Sequence, residues 1–431
     1  MEFPRDPTPL LKNLREKEDN LVTGKTILFL SLLNITNLNQ KNIYTDLIKE
    51  FVDAGDMVYI VSPCERKLNE QTRIKEINKR CKILRVKIGN IQKTSLVEKG
   101  ISTIMLESQI LAAIKRRLSD VTFDLVLYAT PPVTFQKIVD YIKKRDNATS
   151  YLLLKDIFPQ NAVDLNKISP RGIIYKYFRS KEKRLYKTSD YIGTMSIENS
   201  EYLKTHNSYL DPKKIEVNPN SIKITKSINE VTKNDRVEIL SQYGIPDNKL
   251  IFLYGGNLGI PQGIDFLLEV LKNEKLGDIH FLIVGSGTEY KKIEAFINQN
   301  RLNNVTLIPG LPKNDYQKIE EIADVGLIFL DKRFTIPNIP SRMLGYLSNG
   351  KPILAATDKN TDLSTMIEDG EFGLWGLHGD LDHFLKNTAL LIDDKYREKM
   401  GKNGYKYLVN NFRVEESYKK IIEKLSEEKN V

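Results

Sequence analysis

The run Leu250-Ile-Phe-Leu-Tyr254, followed by Gly255-Gly256-Asn257-Leu258-Gly259-Ile260-Pro261-Gln262-Gly263 and then Ile264–Leu271, decides the fold. The first segment is an unbroken apolar run of strand length, which reads as a strand buried on both faces. The second is rich in glycine and cannot continue either a strand or a helix. The third has the apolar pattern of a helix start. A strand that enters a helix through a glycine-rich turn is half of a βαβ unit. Such a turn also lets the backbone approach an anion, with free N–H groups and the helix dipole favouring phosphate. The spacing differs from G-x-G-x-x-G, and no Gly-Lys-Ser/Thr follows.

The same alternation extends in both directions. Later strands are expected near His280–Val284, Val305–Ile308, Val325–Leu330, Pro352–Ala356 and Phe372–Trp375. Earlier ones are expected near Thr26–Leu32, Met57–Pro63, Lys82–Ile88, Phe123–Thr130, Tyr151–Asp156, Tyr191–Met195 and Ile215–Pro219. Helix-like stretches lie between most of them. This predicts an α/β protein with two doubly wound, Rossmann-like domains and a cleft between them. The expected division is an N-terminal extension (1–24), a first domain (25–222), a polar linker (223–248), a second domain (249–410) and a C-terminal helix (411–431) free to pack back on the first domain.

The chain has 431 residues, of which 41% are hydrophobic and 28% charged, as in ordinary soluble domains. Cys64 and Cys81 are too few for a disulfide framework, which fits a reducing cytoplasm. The apolar run near Thr26–Ile35 is too short to span a bilayer and no small-residue cleavage site follows it. The net charge of +9 is uneven. Lys and Arg minus Asp and Glu gives 37 − 26 = +11 over residues 1–220 and 28 − 30 = −2 over 221–431. The basic half suits an anionic membrane surface. No nucleic-acid motif accompanies the charge, so nucleic acid is not an expected partner.

Two further turns sit where strands should end. Val284-Gly285-Ser286-Gly287 supplies a second candidate wall for the same site. The loop Phe334–Arg342, held extended by Pro337 and Pro340, leads into a short helix with Ser341 as its expected cap. Arg342 would then point toward the cleft with the fork geometry that suits a diphosphate.

Residues 254–263 (YGGNLGIPQG), 284–287 (VGSG), 308–316 (IPGLPKNDY), 338–358 (NIPSRMLGYLSNGKPILAATD) and 378–384 (HGDLDHF) together resemble the donor domain of retaining glycosyltransferases of the GT-B fold, family 4. Within that family the chain is most similar to bacterial capsule and O-antigen N-acetylfucosamine transferases. In the first half, NIYTDLIKEFVDAGDMVYIVSP, LLLKDIFPQNAVDL, LYKTSDYIGTMS and VNPNSI are similar to that group's acceptor domain. The resemblance covers about residues 25–415. It implies a nucleotide-sugar donor, expected to be a UDP-sugar. Its contacts would come from Gly256, Asn257, Leu258, Gly259, Gln262 and Gly263, and from Gly285, Ser286 and Gly287. Leu311 and Pro312 would frame the base. Asn338, Ser341 and Arg342 would face the diphosphate and ribose. The sequence departs from the family at several points. Gln262 stands where many relatives have lysine, and Asn257 where many have arginine. The two glutamates common in the family are replaced by Pro337 and Gly345.

No metal cofactor is expected. Asp380-Leu381-Asp382 reads as a helix start capped by Asp380, and His206, His280, His378 and His383 lack ligand spacing. The leaving diphosphate would then rely on N–H groups, helix dipoles and a cation. Asp156, at a strand end of the first domain, is the candidate catalytic residue for contact with acceptor or sugar. Glu198 and Asn199 form a weaker pair. Along residues 171–190, Lys176, Arg179, Lys183 and Lys187 recur at helical spacing beside Ile174, Tyr177, Phe178 and Leu185. That pattern suits a membrane surface. The implied acceptor is a saccharide on a polyprenyl diphosphate, and the implied location is cytoplasmic, peripheral at the inner face of the cell membrane. The alternatives are a nucleotide-binding relative without activity and a nucleotide-sugar epimerase of the same fold.

Overall fold

The structure is a computed structural model that describes residues 24–40, 43–91, 94–224, 232–273 and 276–427. The expected N-terminal extension lies outside them, apart from its last residue. Among the described residues the first sheet has eight strands. They are β1 (Thr26–Leu30), β2 (Met57–Glu65), β3 (Arg73–Asn78), β4 (Cys81–Ile88), β5 (Leu125–Ala129), β6 (Thr149–Leu153), β7 (Tyr191–Thr194) and β8 (Ile215–Val217). Their order is β3-β4-β2-β1-β5-β6-β7-β8. All pairs are parallel except β3 against β4.

The second sheet has six parallel strands among the described residues. They are β9 (Leu250–Asn257), β10 (Ile279–Ser286), β11 (Val305–Pro309), β12 (Val325–Phe329), β13 (Ile353–Thr357) and β14 (Gly373–Leu377). The order β11-β10-β9-β12-β13-β14 reverses between β9 and β12. In the first sheet the reversal falls between β1 and β5. Loops leaving the sheet diverge at such a point and open a crevice at the strands' carboxyl ends.

The apolar runs become central strands because both faces are covered. Ile251, Phe252, Leu253 and Tyr254 are fully buried, as are Ile27, Leu28, Phe29 and Leu30. Strand β3 breaks the pattern. Its sequence, RIKEIN, is mostly exposed and pairs with β4 alone, at the edge. An edge strand needs only one apolar contact face, and charge there discourages pairing with another chain.

The stretch expected as a linker contains a helix, Lys233–Gln242. Its Leu240 is buried in the core of the second domain beside Ile251 and Leu253, and Arg236 pairs with Asp324 at 2.8 Å. The second domain's packing therefore begins before residue 249. Residues 225–231 of that stretch are outside the described ones. The last helix, Val414–Glu427, lies on the first domain. Tyr418, Ile421, Ile422 and Leu425 join the cluster built on Ile27 and Phe29. Among the described residues no helix is long and apolar enough to cross a membrane.

Candidate functional site between the two sheets

The carboxyl ends of both sheets face one cleft of about 1340 Å³. Of the expected donor residues, Gly256, Asn257, Gln262, Gly285, Ser286, Leu311, Asn338, Ser341 and Arg342 line it. Leu258, Gly259, Gly263, Gly287 and Pro312 do not, and packing explains why. The Leu258 side chain is fully buried in the second core. Its N–H donates to the Ser286 carbonyl at 3.0 Å, and its own carbonyl accepts from Glu289 N–H at 2.9 Å. Gly259 accepts from Gln262 N–H, and Gly263 N–H donates to Ile260. Pro312 occupies the cap position of helix Lys313–Ile322. A Cβ on Gly285 would overlap the Gly256 carbonyl oxygen, one on Gly287 the Leu258 backbone, and one on Gly263 the His378 ring. These glycines allow the backbone to pack closely at three places, and Gly285 lines the cleft as well. Gly256 differs, with φ +118° and an exposed backbone. Only a residue without a side chain adopts that conformation at ease.

Arg342 is a cation of this wall, which Lys313 also lines. Its Nη2 donates to Gln262 Oε1 at 2.6 Å, and its guanidinium lies 4.5 Å from the Tyr254 ring centroid. Its Nη1 is buried with no hydrogen-bond partner. An unused donor on a buried guanidinium is costly unless an acceptor arrives, so the arrangement suits an incoming anion. Ser341 holds the N-cap position of the next helix, but its hydroxyl forms no capping bond because its backbone is already helical, φ −63° and ψ −18°.

The first domain supplies the opposite wall. Thr130, at the end of β5, receives the N–H groups of Lys155 (3.1 Å) and Asp156 (3.3 Å), which follow β6. The Asp156 carboxylate accepts from Asn161 Nδ2 at 2.8 Å on each oxygen. Burial outweighs that bond and pushes its pKa up to about 6. Burial likewise draws the Lys155 ammonium down to about 7 while it donates to the Asn218 carbonyl. Neighbouring perturbed groups in a cleft mark a candidate reactive centre.

The loop carrying Asn338 and Arg342 is gripped by the first domain. Phe334 and Ile336 are buried in the first domain's core. Asp164 accepts from Thr335 N–H (2.8 Å) and Oγ1 (2.9 Å). Asn199 donates to the Pro337 carbonyl at 2.8 Å, and Glu198 N–H to Asp362 at 3.2 Å. Glu198 and Asn199 therefore clasp the domains rather than form a reactive pair.

The basic helix is Ile173–Thr188. Lys176, Lys183 and Lys187 are exposed, with Lys183 and Lys187 at 5.8 and 5.2 Å from the Tyr209 ring centroid. Arg179 turns inward instead. It pairs with the buried Glu182 and donates to the His206 carbonyl and Asn207 Oδ1, because a buried carboxylate needs a cation. Leu185 is core, and Phe178 packs on Phe158. Ile173, Ile174 and Tyr177 stay exposed. Lys181 reaches Glu107 of the neighbouring helix Leu96–Arg117 at 3.6 Å. Val97, Ile101, Ile104 and Met105 of that helix are exposed as well.

Sequence reasoning missed Tyr44, Lys155, Tyr316 and Glu320, which also line the cleft. Lys155 had one signal, its place beside Asp156. Tyr316 ends the run 308–316 without having been given a role, and Glu320 lies outside every motif. Among the described residues, no three His, Cys, Asp or Glu side chains converge as a metal site. His280 instead contacts Thr306 Oγ1 at 2.8 Å, and Asp380 caps its helix by accepting from His383 N–H.

Two parallel-sheet domains facing one cleft define the GT-B class. Sucrose-phosphate synthase (tll1590) from Thermosynechococcus elongatus matches with a TM-score of 0.71 at 16% identity, over 92% of this chain and 97% of that one. Anabaena Alr3699/HepE in complex with UDP and glucose matches at 0.67 and 16%, over 94% and 100%. Residues 235–407 match the family described as Glycosyl transferases group 1. The probable glycosyltransferase WbjE of Pseudomonas aeruginosa is 24% identical over 255 residues, 58% of this chain and 61% of that protein. The Escherichia coli UDP-Gal:alpha-D-GlcNAc-diphosphoundecaprenol alpha-1,3-galactosyltransferase is 26% identical over 223 residues, 49% and 54% of the two chains. The matched region thus spans less than two thirds of each of these relatives.

Proposed function

We propose that the protein transfers a sugar from a UDP-sugar to a saccharide carried on a polyprenyl diphosphate, with retention at the transferred carbon. The observation that carries this reading is the pairing across one cleft of Arg342, with its unused donor beside Gly256 and Gln262, and the buried carboxyl of Asp156. The wall with Arg342 takes the diphosphate. Asp156 meets the hydroxyls of the sugar or the acceptor. As the bond from the anomeric carbon to the diphosphate oxygen breaks, Arg342 and the backbone N–H groups take up the growing negative charge. The acceptor oxygen bonds to the same carbon on the same face, and its proton passes to the departing diphosphate. The reading requires no metal ion.

The names of the relatives support the acceptor class, since one is named for acting on a diphosphoundecaprenol-linked sugar. The donor we propose is a UDP-linked hexose or N-acetylaminosugar, with N-acetylfucosamine the first to try. We place the enzyme in the cytoplasm at the inner face of the membrane. The exposed Lys176, Lys183 and Lys187 beside Ile173, Ile174 and Tyr177 support that placement.

The test is UDP release from a panel of UDP-sugars, with and without a polyprenyl-diphosphate saccharide. Release that depends on acceptor, unchanged by EDTA, is the expected result. The anomeric configuration of the product, read by NMR, reports retention. Tight UDP binding without turnover, or donor epimerisation without transfer, would replace this reading.

A further inference from the structure

The first domain brings a cation of its own to the cleft. Lys155 follows β6 and lines the same cavity as Arg342. An ammonium has three donors and no acceptor. One donor goes to the Asn218 carbonyl at 3.1 Å. Among the described residues no carboxylate pairs with this ammonium. Asp156 is held by Asn161, and Glu216 accepts from the Tyr151 hydroxyl at 2.6 Å. A cation drawn out of water without a counter-ion is costly until an anion arrives.

Asn218 is a fixed anchor for that lysine. It is fully buried and lies outside the cleft lining. Its N–H donates to the Thr194 carbonyl at 2.9 Å, and its Nδ2 donates to the Tyr151 hydroxyl at 3.0 Å. Tyr151 reaches it across β7 because residue 193 is glycine. A Cβ there would overlap both the Tyr151 hydroxyl and Asn218 Cβ. The last polar atom of Asn218, Oδ1, accepts from Ser417 Oγ at 2.6 Å. Ser417 belongs to the C-terminal helix Val414–Glu427, from which Lys420 also donates to the Val217 carbonyl at 2.6 Å. The helix that returns from the second domain is thus bonded to the residue whose carbonyl holds the cleft lysine. A lysine stem is flexible, and a fixed carbonyl limits where its remaining donors point.

We propose that Lys155 binds a phosphate oxygen of a substrate diphosphate from the first domain's side, and that Ser417 is a positioning residue that sets Lys155 through Asn218. The assignment rests on the diphosphate reading of the cleft. The diphosphate belongs to the donor nucleotide or to the polyprenyl acceptor, and the experiment separates the two.

Burial draws the Lys155 pKa down to about 7. At pH 8 most of this group is neutral, so an anion that binds it brings a proton in. Calorimetric titration of the full chain at pH 8, in two buffers of different ionisation enthalpy, reads that proton. UDP and geranyl diphosphate are the two probes. The native protein should take up about half a proton with one of them, and that probe identifies the diphosphate. Lys155→Arg should still bind it but lose the uptake, because a guanidinium stays charged. Lys155→Met should weaken it about tenfold or more, the range of a charge-assisted hydrogen bond. Ser417→Ala should weaken it about threefold in the native chain and leave Lys155→Met unaffected, as coupled residues do. Melting temperature serves as the fold control. Equal weakening by Ser417→Ala with and without Lys155 overturns the positioning role. Unchanged affinity and uptake in Lys155→Met, with either probe still bound, overturns the role of Lys155 alone. Failure of the native protein to bind either probe would bring down the wider reading and this one with it.

Discussion

Burial raises the Asp156 carboxyl from its ordinary 3.8 to about 6. The sign of the linkage follows. Below about pH 4 the folded and unfolded chains are both protonated. Between there and pH 6 the unfolded chain ionises first, so this group's contribution to stability falls as pH rises across that window and stays lower above it. Asp156→Asn removes the effect. Thermal melting should find that variant more stable at pH 8 by roughly 1–3 kcal/mol, with the gain gone by pH 4. Transfer activity should nonetheless fall by about a hundredfold or more while UDP affinity holds, as when an interaction made at the reacting centre is lost. Arg342→Gln should weaken UDP binding by roughly 10- to 100-fold, and Arg342→Lys should not restore it, because lysine lacks the fork that reaches both Gln262 and an anion. A titration with the two variants decides this. Two residues show what a linear reading loses. The sequence has no carboxylate at position 345, yet Glu320 brings one into the space beside it. Arg179 has the spacing of a surface cation, yet a buried Glu182 claims it.

The loop Phe334–Arg342 belongs to the second domain by sequence and to both domains by packing. Its Phe334 and Ile336 are anchored in the first core, and Asp164 holds Thr335. Asn338 and Arg342 are therefore placed by first-domain residues that never reach the diphosphate wall. Asp164→Ala should loosen the loop and raise the Kd for UDP about three- to tenfold, as expected for losing hydrogen bonds to a charged acceptor. Asp164→Asn should recover part of that, since its amide oxygen still accepts from Thr335. An unchanged Kd in Asp164→Ala would show that the loop is set by the second domain alone. The elements themselves were largely legible. Central strands such as β1 and β9 announce themselves as apolar runs because both faces are covered. Strand β3 was not, because an exposed edge does not select for apolar residues. Helix Lys233–Gln242 was hidden by its polar surface, as it buries only Leu240.

At the scale of the molecule, the charge division has a spatial counterpart. Helices Leu96–Arg117 and Ile173–Thr188 carry exposed apolar residues beside Lys99, Lys176, Lys183 and Lys187. Liposomes rich in anionic lipid should bind the protein at low salt. Reversing Lys176, Lys183 and Lys187 to glutamate should weaken that binding by about a hundredfold or more, at about 1 kcal/mol for each cation removed near the surface. Equal pelleting of native and variant protein would rule out this face. The C-terminal helix ties the chain's end to its beginning, since Tyr418 packs edge-on against Phe51 with ring centroids 4.9 Å apart. A chain ending at residue 411 would expose the Ile27 and Phe29 cluster, and its first domain should melt well before its second.

The sequence by itself determined the sheet order's raw material, the two-domain plan and the strand-to-helix turn at Gly255–Gly263. Those depend on local periodicity and on where the backbone must turn, which neighbouring residues encode. The tertiary structure decided which parts of that turn face the cleft. Leu258, Gly259 and Gly263 lie outside the cleft lining, whereas Gly256 and Arg342 are part of it and one Arg342 donor is left unused. It also decided that Glu320, Lys155 and Tyr316 reach the same cleft from separate elements. Burial and the pKa shifts that follow are properties of that assembled cavity, and no short stretch of chain contains them.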